Sequence, residues 1–220
     1  MHNGIAIALA WPETLCKQAG AWYDLSIKWI GFNKNNYYKV GHAAIVLVKK
    51  HSESCHYFDF GRYHSPYGNG RVRSSITDHD LEINTKAKFN SKGDLINLNE
   101  ILEELYFNES CHGTGDIHAS ITNVNFQKAF NKANKLQEKS PLPYGPFTPK
   151  GTNCSRFVNS VVIAGIPQFS HSLKLIFPIS LTPTPMTNVK SLHQYTIVTL
   201  DNVITEFNNK SLQLEKIGNE

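Results

Sequence analysis

Long hydrophobic runs are missing from this 220-residue chain. The longest, Ile5 to Trp11, Ala43 to Val48 and Val161 to Ile166, fall far short of the ~20 apolar residues a spanning helix needs, so no integral membrane segment is expected. No Lys or Arg precedes Lys17, and the first apolar stretch meets Pro12 too early for a secretory signal. The chain as written therefore reads as cytoplasmic. Basic blocks are missing too: 22 Lys+Arg against 18 Asp+Glu give a formal charge of +4 spread along the length, with no run of five Lys or Arg. Nucleic acid is not an expected partner.

Cysteine is scarce. Cys16, Cys55, Cys111 and Cys154 are widely scattered, and a chain long enough to build its own core does not need disulfide staples, so reduced thiols are expected. Cys55-His56 and Cys111-His112 are adjacent pairs, but neighbouring side chains on a strand point apart and no Cys-x2-Cys or His-x3-His spacing occurs. No metal is expected. No G-x-G-x-x-G follows a strand and no G-x-x-x-x-G-K-[ST] loop is present, which removes the usual dinucleotide and phosphate cradles. No cofactor is called for.

The residues present are those of a globular protein, 40% hydrophobic and 18% charged. The length suits a single domain over 1–220, with room for an elaborated C-terminal extension from about residue 167. Gly4 to Ala10 is apolar, and Pro12-Glu13-Thr14 suits the opening turn of a helix to about Trp29. Val40 to Val48, a polar turn, and His56 to Phe60 form the clearest hairpin. Tyr63 to Arg73 reads as a loop whose arginines, Arg71 and Arg73, make either a solvated turn or an anion-binding rim. One or two strands are expected within Arg71 to Phe89, a short helix from Asn99 to Phe107, and a strand from Asp116 to Val124. From Asn125, apolar residues Phe126, Ala129, Phe130, Ala133 and Leu136 recur at helical spacing. A rigid Pro- and Gly-rich loop then leads to Asn153-Cys154 and a helix ending near Gly165, and a last strand spans His193 to Leu200. Helices and strands mixed without βαβ alternation indicate an α+β fold with a mainly antiparallel sheet.

Cys154 follows Thr152 and Asn153, both able to cap a helix, so its sulfur would lie in a first turn where free N–H groups favour an anion. A thiol there is either a reactive thiolate or an inert small core residue. His42 interrupts an apolar strand and needs a polar partner if buried. With a turn near residues 50–51 it falls opposite positions 58 to 60, within reach of Asp59, while a slip of one residue would offer His56 instead. Cys16 is a rival nucleophile, placed about a turn inside the first helix. Tyr144 is a loop anchor or a cleft residue, and His112 and His118 read as surface polar groups.

Gly41-His42-Ala43-Ala44-Ile45 on a strand, and Asn153-Cys154-Ser155-Arg156-Phe157-Val158 opening a late helix, resemble the circularly permuted NlpC/P60 superfamily, papain-like proteins that include YiiX-like and lecithin:retinol acyltransferase-like members. The resemblance implies a papain-like fold and a thiol hydrolase or acyltransferase. Cys154 would attack a carbonyl, His42 would serve as base and then acid, Asp59 or His56 would orient the imidazole, and the Cys154 N–H would help hold the oxyanion. The acyltransferase branch carries a second histidine about a dozen residues after the first, where this chain has Ser54, and the hydrolase reading is the one that survives. The substrate would be a peptide, acyl or other amide or ester compound. The competing expectation is a binding module that keeps the fold with a structural Cys154.

Overall fold

The computed structural model describes residues 2–17, 33–34 and 37–203. Its centre is a seven-stranded antiparallel sheet in the order β10-β8-β1-β5-β6-β7-β9. The strands are β1 (Gly4–Trp11), β5 (His42–Lys49), β6 (Cys55–Gly61), β7 (Asn69–Arg73), β8 (Ile117–Val124), β9 (Leu142–Pro143) and β10 (His193–Val198). A small second sheet joins β2 (Leu15–Lys17), β4 (Tyr37–Lys39) and β3 (Asn33–Lys34). The helices are α1 (Leu98–Phe107), α2 (Phe126–Glu138), α3 (Cys154–Ala164), α4 (Phe169–Ile176) and α5 (Pro185–Lys190). This is the expected mixed α+β architecture with an antiparallel sheet packed against helices.

β1 is buried along all eight residues because both faces of the sheet are covered, which is why its sequence is continuously apolar rather than alternating. On one face, Ala6, Ala8, Ala10 and Ala43 keep the surface low enough for α2 and α3 to settle through Phe126, Phe157 and Val161. On the other, Ile7, Leu9, Val46 and Tyr57 pack beneath α1, through Ile101, Leu102 and Leu105, and under the loop residues Leu81 and Ile83. Alternation along β6 therefore sends Tyr57 and Asp59 to the α1 face and His56, Phe58 and Phe60 to the α2 face.

Several expectations change. The helix from Pro12 does not form over the described part: Pro12 and Glu13 make a turn, and Leu15–Lys17 is a strand paired with β4. The proline sets the turn that lets the chain double back, and residues 18–32 of the expected helix lie outside the described residues. Cys16 is thus on a strand, not inside a helix. Between Arg71 and Phe89 there is one regular strand, and it starts earlier, at Asn69. The segment after 167 holds α4 and α5, unmarked in the sequence reading, and returns a strand to the sheet edge beside β8.

Candidate active site

Asn153 has extended dihedrals, and its side chain accepts the Arg156 backbone N–H at 2.8 Å, which starts α3 with Cys154 in its first position. The preceding loop is fixed by the Arg156 guanidinium, whose Nη1 donates to the carbonyls of Gly145 and Pro146 at 3.3 and 3.1 Å. Cys154 is buried, so the first-turn position expected of it is also a desolvated one.

His42 is the first residue of β5, opposite Trp11 at the end of β1. The residue before it, Gly41, has φ +74°, and a Cβ there would stand 2.9 Å from the Trp11 carbonyl oxygen. Only glycine lets the chain enter the strand this tightly. The Trp11 ring stacks on the imidazole with centroids 5.8 Å apart.

Ala44, not His42, pairs across to Asp59, because the turn lies a residue later than 50–51. Asp59 nevertheless points the right way along the same face, and its Oδ2 lies 3.2 Å from His42 Nε2. The carboxylate is completely buried and is held on other sides too. Arg73 donates from Nε to Oδ1 at 2.9 Å and from Nη2 to Oδ2 at 2.5 Å, and the Tyr57 hydroxyl donates to Oδ2 at 3.2 Å. His42 also interacts with the Cys154 thiol, and each shifts the other's pKa.

Charge follows this geometry. Burial alone would push the His42 pKa down, but the hydrogen bonds and charges of Asp59 and Cys154 outweigh it and raise the group from 6.5 to about 9. Burial alone would push the Cys154 thiol up, and His42, with help from Ser155 and the Ala43 N–H, reverses that and draws it below its ordinary value. Asp59 is desolvated yet held below the usual carboxylate range by His42 and Arg73. Both shifts move the proton from Cys154 toward His42, and the Asp59 carboxylate, itself paired with Arg73, supports positive charge on the imidazole.

Cys16 also comes near. Its thiol donates to the Gly41 carbonyl at 3.5 Å, and burial, with the charge of Cys154, raises its pKa to about 12 despite Arg62 nearby. Its shift runs opposite to that of Cys154. Tyr144 stacks on Phe60 with centroids 5.9 Å apart under the Arg62 guanidinium, and burial and the neighbouring Cys154 and Cys16 push its phenol well up. It borders the thiols as well as anchoring the loop.

His56 is not beside His42. Its ring faces Phe130 and Phe126 at 5.0 and 5.8 Å on the α2 face, and its pKa is lowered by burial. Arg71 and Arg73 form neither a solvated turn nor an anion rim: Arg71 makes a two-pronged bond to Asp78 at 2.7 and 2.6 Å, and Arg73 is buried on Asp59. Sequence reasoning missed Arg73, Tyr57 and Tyr63. The Arg73 guanidinium lies 3.6 Å from the Tyr63 ring centroid, and Tyr63 in turn stacks on His112 at 4.7 Å, so that histidine supports the site from behind. A hairpin centred on Pro66 would have placed Arg73 opposite Asp59, the pairing observed. Among the described residues no group of three or more His, Cys, Asp or Glu is placed to hold a metal ion.

A family model for type VI secretion system effectors of the TseH-like kind matches residues 6–171, which takes in most of β1, both strands of the hairpin and the whole of α3. The chain belongs to the TseH-like effector family. A crystal structure of the type VI secretion system effector TseH is similar in fold, with a TM-score of 0.60 over 92% of this chain and 96% of that one, at 15% sequence identity. No curated protein matches the sequence. Among the described residues no helix is long and apolar enough to cross a membrane.

Proposed function

We propose that this member of the TseH-like family is a cysteine hydrolase of the papain-like, permuted NlpC/P60 kind, acting on an amide, thioester or ester. The observation that carries the reading is the buried His42, bonded through Nε2 to Asp59 and interacting with Cys154 at the start of α3. The Cys154 thiolate attacks the carbonyl carbon, and the charge that develops on oxygen is met by the first-turn N–H groups of α3, the Cys154 N–H among them. The His42 imidazolium then gives its proton to the departing amine, alcohol or thiol, which leaves an acyl thioester on Cys154. Water, deprotonated by the now neutral His42, attacks that thioester, releases the acid and restores the ion pair. Asp59 fixes the imidazole orientation and supports its charge, and Arg73 positions Asp59. No cofactor or metal enters any step.

The whole chain is read as one domain, since β10 closes the same sheet that β1 opens. The family's description, a type VI secretion system effector, supports export over the wholly cytoplasmic location expected from the sequence. The test is a panel of peptide amides, esters and thioesters offered to the chain and to Cys154→Ala. Turnover that disappears in Cys154→Ala, with a thioester adduct on Cys154 seen by mass spectrometry, supports the reading. A reproducible activity that survives Cys154→Ala sinks it, and folded protein that turns over nothing and forms no adduct points to the binding module with a structural cysteine.

A further inference from the structure

The charge of +4 has no contiguous basic block, yet it is unevenly placed: between Ile117 and Leu200 the chain carries eight Lys and Arg and one acid, Glu138. Within that stretch α4 carries its apolar stripe outward. His171 and Leu175 face inward and are buried, while Phe169, Leu173 and Ile176, spaced at i, i+4 and i+7, form an outward stripe. The chain beyond continues the stripe with Phe177, Ile179 and Leu181. Phe169 and Phe177 are 78% and 74% exposed, and Ile179 and Leu181 project fully. Lys174 stands on α4 itself, and Lys132 and Arg156 line with Ile176 and Leu181 one open groove of about 540 Å³. Apolar surface of this continuity on a domain with a completed core marks an interaction face.

We infer that α4 and the segment to Leu181 form a membrane-surface contact, seating their apolar side chains at the headgroup–acyl boundary of an anionic bilayer. Charge complementarity selects this partner. Lysines flank projecting aromatic and aliphatic side chains, Glu138 is the one acid of the Ile117–Leu200 stretch, and Asp94 meets α4 only at its start beside Gln168 and His171. This is the pairing that binds anionic lipid through apolar insertion and electrostatic attraction together. Lys132 and Lys174 have the stems to run along the apolar surface while their ammonium groups reach phosphates. The contact is peripheral and independent of the chemistry proposed for Cys154.

The test is co-sedimentation of the full chain with vesicles of phosphatidylcholine alone and of phosphatidylcholine mixed equally with phosphatidylglycerol. Binding to the anionic vesicles, weakened by added salt, is expected. Phe177→Ser with Ile179→Ser should reduce it more than about tenfold, since each side chain loses its burial in lipid. Lys132→Glu and Lys174→Glu should each reduce it about fivefold or more. These positions are exposed or at the groove rim, and a circular-dichroism melt of each variant checks that the fold is intact. A wild-type chain that stays in the supernatant with anionic vesicles overturns the inference. So does equal binding to both vesicle types, or a concentration-dependent dimer, abolished by Phe177→Ser with Ile179→Ser, in a chain that ignores lipid.

Discussion

Asp59 shows how much one buried carboxylate can carry. It accepts from Tyr57, His42 and Arg73 with no exposure to water, so removing its charge leaves the Arg73 guanidinium without a counter-ion in the interior. Breaking a buried pair in this one-sided way is destabilising by about 3–5 kcal/mol. Asp59→Asn should therefore lower the midpoint of urea unfolding by that equivalent, while Arg71→Ala, which opens a partly exposed pair with Asp78, should shift it by less than about 1 kcal/mol. Equal effects of the two substitutions would contradict the assignment of Arg73 and Asp59 to the interior of the site. His42, Asp59 and Cys154 could be singled out from the sequence because each is a polar or reactive side chain in a setting that demands a partner. Arg73 could not, because an arginine three residues from a glycine looks like loop chemistry until the hairpin about Pro66 puts it across from Asp59. The choice between Asp59 and His56 turned on strand phase, which the alternation of Tyr57, Asp59 and Phe58, Phe60 between two buried faces resolves.

Secondary-structure elements bring these side chains together through two local devices. The first is the Asn153 cap of α3. Asn153→Ala removes the acceptor of the Arg156 N–H and should cost about 1 kcal/mol in thermal or urea unfolding. The second is Gly41. Its φ of +74°, and the mere 2.9 Å that would separate an added Cβ from the Trp11 carbonyl oxygen, make Gly41→Ala a strained change, expected to destabilise by at least about 1 kcal/mol and to displace His42. A Gly41→Ala protein with unchanged stability would mean that β5 can begin differently. The elements with strong local signals were readable: the β5–β6 hairpin, α2 with its helical apolar spacing, and α3 between Asn153 and Gly165. The failures lie where tertiary partners decide. Leu15–Lys17 becomes a strand because Tyr37–Lys39 is beside it, a pairing that composition near Pro12 does not reveal. α4 went unread because it is only eight residues long, with Phe169, Leu173 and Ile176 turned outward and a histidine as one of its two buried residues.

The whole molecule should show the site in its pH dependence. His42 is raised from 6.5 to about 9, so its stabilising share is full below 6.5 and is lost as pH rises through about 9. Cys154 is drawn below its ordinary 9.0, so its share is full above 9.0 and is lost as pH falls through the lowered value. Between the lowered Cys154 value and about 9 the two slopes have opposite signs and offset one another. Stability should therefore vary little with pH just below 9 with respect to this pair, and the Cys154 share should be lost as pH falls through its lowered value. Asp59, held below the usual carboxylate range, steepens the acid limb as pH falls through its lowered value. Melting temperatures from acid to pH 9 test this, and His42→Ala should remove the share lost between 6.5 and about 9 while leaving an acid limb from Asp59, still paired with Arg73. Family membership and sheet order place Cys154 and His42 in one fold, but only their electrostatics separate a nucleophile from a buried thiol.

That separation is most directly measured by the rate at which iodoacetamide alkylates Cys154 as a function of pH, followed site by site by mass spectrometry. In the wild-type chain Cys154 should react faster than Cys16, Cys55 and Cys111, whose pKa values are each raised to about 12, and its rate should titrate below pH 9.0. His42→Ala should move the Cys154 profile upward to 9.0 or beyond. A wild-type Cys154 that titrates at or above the ordinary thiol value, or four cysteines that react alike, would contradict the ion pair on which the proposed chemistry rests.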